Sequence, residues 1–206
     1  MIKNIICHFI TITKHKLVVF KLSLKAGIPW RGFVHDLSKY SPTEFLEGVK
    51  YFVGIHSPIL EAKKDKGYSK AWLHHKGRNK HHLEYWFDFT ANPVAPVIPY
   101  KYVVETVCDE LAAGMVYEGK DWKPDTQYDY YINIQRKKCV IHPKIDNFLT
   151  NVFFQVKENG IEKTLTKKNM KSLYKKYCIE DKSEYIYEIE KGMWKREPSP
   201  FPGGKK

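Results

Sequence analysis

The chain has 206 residues, 43% of them hydrophobic and 15% aromatic, enough to bury a core of its own and too apolar for a disordered segment. Its formal net charge of +12 favours anionic partners such as phosphates, nucleotides or nucleic acid, although a lysine-rich surface alone would give the same number. No charge-free stretch reaches the about 18–20 residues of a membrane span, and Cys7, Cys108, Cys139 and Cys178 form no C-x-x-C pair. The expectation is therefore a cytoplasmic protein with reduced thiols and no membrane partner.

The apolar pattern is helical nearly throughout. From Ile2 to Leu24 it recurs at helical spacing, with His8, Thr11, His15, Val18, Val19 and Leu22 on about one face and Gly27 as the stop. This apolar start looks like a signal peptide, but Lys14, His15 and Lys16 interrupt it and no cleavage-site pattern follows. Pro29 opens a second helix, expected to run through His35 and Asp36 to about Lys39. In Ser41-Pro42-Thr43-Glu44, Ser41 reads as a cap and Glu44 as the closing residue of a capping box, predicting a helix to about Val53. Ser57-Pro58 starts another. A short helix after Gly67-Tyr68-Ser69 ends near His75, Gly77 breaks it, and Asn79 caps a helix from Lys80 to Phe89. Pro93, Pro96 and Pro99 mark a loop. Helices are then expected over Tyr100–Tyr117, Pro124–Lys138 and Pro143–Glu158, with a brief strand around Asn159-Gly160. Thr166 caps a last helix to about Tyr177, and Pro198–Lys206 reads as a disordered tail.

Histidine carries the strongest chemical signal. Eight of the nine histidines precede residue 83, and His74-His75-Lys76-Gly77-Arg78-Asn79-Lys80-His81-His82 holds four imidazoles around a glycine. Imidazole is the commonest protein ligand for divalent metals, and carboxylate completes such sites. With His35-Asp36 upstream, the pattern points to a metal centre. Adjacent helical residues diverge by about 100°, so neither pair is expected to face one way. His82, on a face with Asn79, Leu83 and Trp86, is the expected inward member of its pair, and His75, last before the glycine break, is expected over His74. His74 and His81 would then meet substrate or solvent. Lys39, Arg78, Asn79 and Lys80 are candidates to hold a phosphate, against the blander reading of a solvated basic loop.

His35-Asp36-Leu37-Ser38-Lys39 resembles the HD-x-x-K signature of the HD superfamily of metal-dependent phosphohydrolases. In that superfamily an earlier helix supplies a first His and a much later helix a final Asp, and dinuclear members add histidines between. The resemblance covers roughly residues 8–118. It implies an all-α, HD-type helical bundle over residues 1–140, followed here by a basic helical extension over 141–206. It further implies His15, His35, Asp36 and Asp109 as metal ligands, with His8 as a second-layer alternative to His15. His75 and His82 would hold a second ion, with Asp36 bridging. Glu105 shares a helical face with Asp109, as a ligand or as the group orienting one. The four intermediate histidines lie closer together than in most dinuclear members. The string through His82-Leu83-Glu84 is also similar to an uncharacterised family of small phage and bacterial proteins.

The function expected from this resemblance is hydrolysis of a nucleotide or another small phosphate ester. One or two divalent ions (Mn, Mg, Co, Ni or Fe) would activate water, Asp36 or Glu105 would orient or deprotonate it, and Lys39 would stabilise developing charge. His74, Arg78, Asn79 and His81 are the expected substrate contacts. Two alternatives stand beside it: a di-iron oxygenase on the same fold, and a nucleic-acid- or host-protein-binding module with a structural metal. Lys163, Lys167, Lys168, Lys171, Lys175 and Lys176, free of interleaved aromatics, read as the solvated face of a docked helix.

Overall fold

Helix α1 (Ile2–Ala26) is the longest element, and it ends where Gly27 turns into the left-handed region at φ 76° and donates its N–H to Leu24 and Ser23 carbonyls. This computed structural model describes residues 1–197, so the tail expected at 198–206 lies outside the described residues. Along α1, His8, Ile12, His15, Val19, Leu22 and Ala26 are buried at three- and four-residue intervals, so the helix turns two histidines inward with its apolar stripe. Helix α2 (Pro29–Val34) folds back across it. The crossing is close because Gly32 has no side chain: a Cβ there would stand 2.5 Å from the Ser23 Cβ and 3.0 Å from the Phe20 Cα.

The expected helix through His35 and Asp36 is not formed. Helix α2 stops at Val34, His35 is extended, and Asp36 enters the left-handed region (φ 53°, ψ 28°) before a single 3₁₀ turn, Leu37–Tyr40. A small layer of α3 (Pro42–Lys50), α4 (Pro58–Lys66) and α5 (Lys70–Lys76) follows. Ser57 and Ser69 cap the last two through Ile59 and Trp72 N–H groups. Ser41 makes no side-chain cap, and Glu44 closes no capping box, because its carboxylate is taken by His74 and His75.

The helix expected from Lys80 to Phe89 is also absent, leaving only a 3₁₀ turn at Leu83–Trp86. The carbonyls such a helix would use are claimed by side chains: Thr106 Oγ1, from α6, donates to His81 O, and Trp86 Nε1, from within the segment, donates to Lys80 O at 2.7 Å. Asn79 does not cap; its amide donates to Ser38 Oγ and His75 O, each at 2.9 Å.

Helix α6 (Tyr100–Glu118) runs through the centre, with Val103, Val104, Val107, Cys108, Leu111 and Ala112 fully buried. Helix α7 (Pro124–Tyr130) continues through a π-helical turn at Tyr131–Gln135 into the short α8 (Arg136–Lys138). Helix α9 (Pro143–Thr164) outruns its expected end at Glu158, breaking at Gly160 (φ 77°) without forming the expected strand. Thr166 caps α10 (Lys167–Tyr174), which closes in a π-helical turn at Lys175–Glu180. The strands lie later, as the antiparallel hairpin β1 (Glu184–Glu188) and β2 (Met193–Glu197), which the sequence pattern did not reveal. The fold is all-α with a C-terminal extension. One buried cluster joins Val19 and Val107 to Phe148, Phe153 and Met170, so the core passes unbroken across residue 140. Among the described residues no helix is long and apolar enough to cross a membrane.

His142 sits at the start of α9, buried against Tyr185 and Trp194, and its Nδ1 accepts the Lys144 N–H at 3.1 Å. Burial first, and Lys144 second, lower its pKa to about 4. The unfolded chain therefore binds the extra proton between about pH 6.5 and 4, so this contribution is present above that window and lost as pH falls through it. His142→Asn, which keeps a capping acceptor, is expected to flatten the fall in unfolding free energy between pH 7 and 4.5, measured by urea titration.

Candidate metal centre

Two sets of donor atoms meet at Asp36. Toward one side, His15 from α1 and Asp109 from α6 join His35, with His15 Nε2 2.9 Å from Asp109 Oδ1. His35 Nε2 lies 3.4 Å from His15 Nε2, 3.2 Å from Asp36 Oδ2 and 3.3 Å from Asp109 Oδ1. Toward the other side, Asp36 Oδ1 lies 3.3 Å from His75 Nε2 and 3.4 Å from His81 Nε2, and His82 completes the group. Asp109 also spans the sets, with Oδ2 3.6 Å from His81 Nε2.

These spacings suit shared cations better than hydrogen bonds. Donors about 2.0–2.3 Å from one ion stand roughly 3–3.7 Å from each other, and most separations here fall in that range, with His15 Nε2 closer to Asp109 Oδ1 at 2.9 Å and farther from Asp36 Oδ2 at 3.9 Å. Asp36 Oδ1, His81 Nε2 and His82 Nε2 are buried with no hydrogen-bond partner, a costly arrangement unless another group satisfies them. The donor set, mostly imidazole with two carboxylates, fits a transition metal more closely than magnesium.

A surrounding layer fixes which ring nitrogen faces inward. His35 Nδ1–H donates to Glu105 Oε1 at 3.1 Å, leaving Nε2 for the centre. Glu105 is fully buried and is itself held by Arg31, whose Nε donates to Oε2 at 2.7 Å and whose Nη2 donates to Oε1 at 3.2 Å. His81 Nδ1 lies 3.4 Å from the same Oε1, so one carboxylate faces a histidine from each set. Glu44 does the equivalent for α5: His75 Nδ1–H donates to Oε2 at 2.7 Å and His74 Nδ1–H to Oε1 at 2.6 Å. Such partners orient metal-binding histidines and raise their basicity.

Charge at the centre is strongly coupled. Burial opposes ionisation of Asp36 and Asp109, yet the adjoining histidines, with Lys39 beside Asp36, hold both carboxyls well below the usual range. Burial would lower His35, but Asp36 and hydrogen bonds to Asp109, Asp36 and Glu105 raise it well above an ordinary imidazole. Burial, then Lys39, lowers His15, and burial lowers His82. Lys39 stays charged, its Nζ 2.6 Å from Asp36 Oδ2.

Several sequence expectations need correction. Of the roles open to Glu105, its oxygens, occupied by Arg31 and His35 in a fully buried position, fit the orienting of a ligand and not action on water. His81 was expected to contact substrate; it is 1% exposed and points into the second donor set together with His82. Residues 81 and 82 are not helical, so the 100° divergence of helical neighbours does not apply to them, and their ring centroids lie 4.2 Å apart. His74 is held by Glu44, Asn79 braces Ser38 and His75, and Arg78 is exposed, touching the second set only through its backbone N–H, which donates to His75 O at 3.1 Å. His8, buried near Phe45 and Gly48, is outside both sets, and burial lowers its pKa to about 4. Glu44 and Arg31 were missed. Glu44 stands 30 residues before His74, so no local spacing could have announced it.

Two adjoining cavities open beside the centre. One of about 540 Å³ is walled by His81, His82, Asp109, Glu110, Gln135 and Lys138, and one of about 320 Å³ by His15, Lys39, His75 and Tyr117 among others. Glu110 receives amide donors from Gln127 at 2.8 Å and Gln135 at 2.6 Å.

An all-α scaffold with two imidazole sets sharing an aspartate defines the class as a helical protein with a candidate dinuclear metal centre. The chain belongs to a family of unknown function (DUF5662), whose sequence model matches residues 5–155. That span contains every residue of both donor sets. No curated protein and no solved structure matches the chain.

If the donor sets hold metal, Mn²⁺ or Co²⁺ added to chelator-treated protein should raise its unfolding temperature. Asp36→Ala should remove that rise, and Glu105→Gln should weaken metal affinity by about ten- to hundredfold. An unchanged thermal shift in Asp36→Ala, read by calorimetry, would show that the sets do not bind the ion.

Proposed function

We propose that the protein is a metal-dependent phosphohydrolase acting on a small phosphate ester such as a nucleotide. The observation that carries this reading is the sharing of one buried carboxylate, Asp36, between two imidazole sets, with the Lys39 ammonium beside it. The resemblance of His35-Asp36-Leu37-Ser38-Lys39 to the HD-x-x-K signature supports it. His15, His35, Asp36 and Asp109 would hold one divalent ion, and Asp36, His75, His81 and His82 a second. Such ions supply Lewis-acid activation of water and of a phosphoryl oxygen.

The chain's own groups account for the rest. Two carboxylates facing two divalent charges leave a positive excess, and Lys39 adds to it, so the pocket favours a phosphate dianion. Glu44 and Glu105 keep the Nδ1 protons of His75 and His35 in place, which leaves the Nε2 lone pairs directed inward. The larger cavity, of a size suited to a small organic group, offers Lys138, Gln135 and Glu110 for polar contacts to the remainder of the ester.

Protein purified without chelator should contain about two transition-metal ions per chain and release phosphate from some member of a nucleotide and phosphate-ester panel. Asp36→Ala should lower turnover at least a thousandfold, whereas Lys176→Ala, an exposed change in the C-terminal extension, should leave it unaltered. Replacing His75 and His82 together with Ala should remove about one equivalent of metal and leave the other. Oxygen uptake by iron-loaded protein without phosphate release would replace hydrolysis with oxygenation. Steeply salt-dependent nucleic-acid binding without turnover would replace it with a binding module.

A further inference from the structure

Among the described residues the outer face of α1 is largely uncovered, with Phe9 alone of its large apolar side chains meeting another ring, that of Tyr40 at 5.9 Å. Opposite the inward histidines, Ile6, Phe9, Ile10, Leu17 and Leu24 are 49–57% exposed and fall on one side of a 25-residue helix. The stripe widens onto α2 and the turn after it, where Trp30 is 69%, Phe33 58% and Leu37 55% exposed, with the Trp30 and Phe33 rings stacked 5.6 Å apart. Scattered exposed apolar residues are ordinary, but a continuous stripe of this length marks an interaction surface.

Charge identifies the partner. Residues 1–35 contain no Asp or Glu, and the first acid in the chain is Asp36, which is buried. Lys3, Lys14 and Lys21 are exposed along one edge of the stripe, and among the described residues none of them has an acidic partner. Packing two such helices antiparallel across a twofold axis would bring the lysine edges of both copies together with no acid on α1 or α2 to compensate, and the acid that reaches this edge, Glu162, is already paired with Lys25. An anionic surface meets both features at once, and exposed Trp, Phe and Leu beside lysines are the composition of a helix lying in a membrane interface. No helix here is apolar enough to span, so contact would be confined to the surface.

We propose that α1 and α2 form a docking face for an anionic lipid bilayer, with Trp30, Phe33 and the α1 stripe seated among the headgroups and Lys3, Lys14 and Lys21 meeting lipid phosphates. The metal ligands on the inner face of α1 would then be held at a fixed distance from that surface. This inference does not depend on the reaction proposed above.

The test is co-sedimentation of the full chain with vesicles of phosphatidylcholine alone or with about a third phosphatidylglycerol, at low and high salt. Binding is expected only to the anionic vesicles and weaker at high salt. It should fall more than tenfold in Ile10→Ser/Leu17→Ser and in Lys14→Glu/Lys21→Glu. Because all four positions are exposed, circular dichroism should report unchanged folding. A blue shift of tryptophan emission on binding should disappear in Trp30→Phe. Absence of binding to anionic vesicles overturns the proposal, as does binding that both double variants retain. A concentration-dependent dimer in analytical ultracentrifugation, dissociated by Ile10→Ser/Leu17→Ser, would assign the face to a second copy and overturn it equally.

Discussion

The left-handed turn at Asp36 is the constraint on which the centre depends. Two adjacent residues on a regular helix point about 100° apart, and His35 and Asp36 do not share such a helix. Ending α2 at Val34 and turning the chain at φ 53° brings His35 Nε2 and Asp36 Oδ2 within 3.2 Å of each other. The same turn exposes the second carboxylate oxygen to His75 and His81 from an unrelated part of the chain. Aspartate tolerates this conformation better than most residues, and its local strain is small against the interactions it permits.

Around that turn the protein arranges a second layer that is as specific as the first. Glu105 and Glu44 are buried acids, which would be expensive in isolation, and each is matched to donors from elements far away in sequence. Arg31 on α2 binds Glu105 on α6, so the pair that orients His35 also ties the helix that leads into His35 to the helix that bears Asp109. Glu44 ties α3 to α5 in the same way through His74 and His75. Ligand orientation and helix packing are thus produced by the same contacts, and loosening one loosens the other.

Helix α1 serves two surfaces at once. Its inner face contributes His15 to the centre and Val19 and Leu22 to the core, and Gly32 lets α2 approach close enough to set His35 opposite His15. The outer face is free of both duties, which is why apolar residues there call for a partner outside the described fold. Rigid coupling between the faces follows from the length of the helix and its burial along the whole inner side.

The sequence by itself determined the helical class and most helix starts, because apolar spacing and proline and serine punctuation are local features, encoded within a few residues. The ordered set His15, His35, Asp36, His75, His82 and Asp109 came from the density of histidine and the likeness of one short motif to the HD-x-x-K signature, and the fold brings those residues together. Tertiary structure decided what local patterns leave open. Glu44 carries a capping-box signature, but His74 and His75 compete for its carboxylate and win. Residues 80–89 have helical periodicity, but Thr106 and Trp86 take the carbonyls that a helix would need, and this frees His81 to turn inward beside His82. The hairpin at 184–197 emerged only with the fold, where Trp194 and Tyr185 pack on His142. Apart from Trp86, which lies close to Lys80, the deciding partners are many residues away, and no reading of neighbouring positions contains that information.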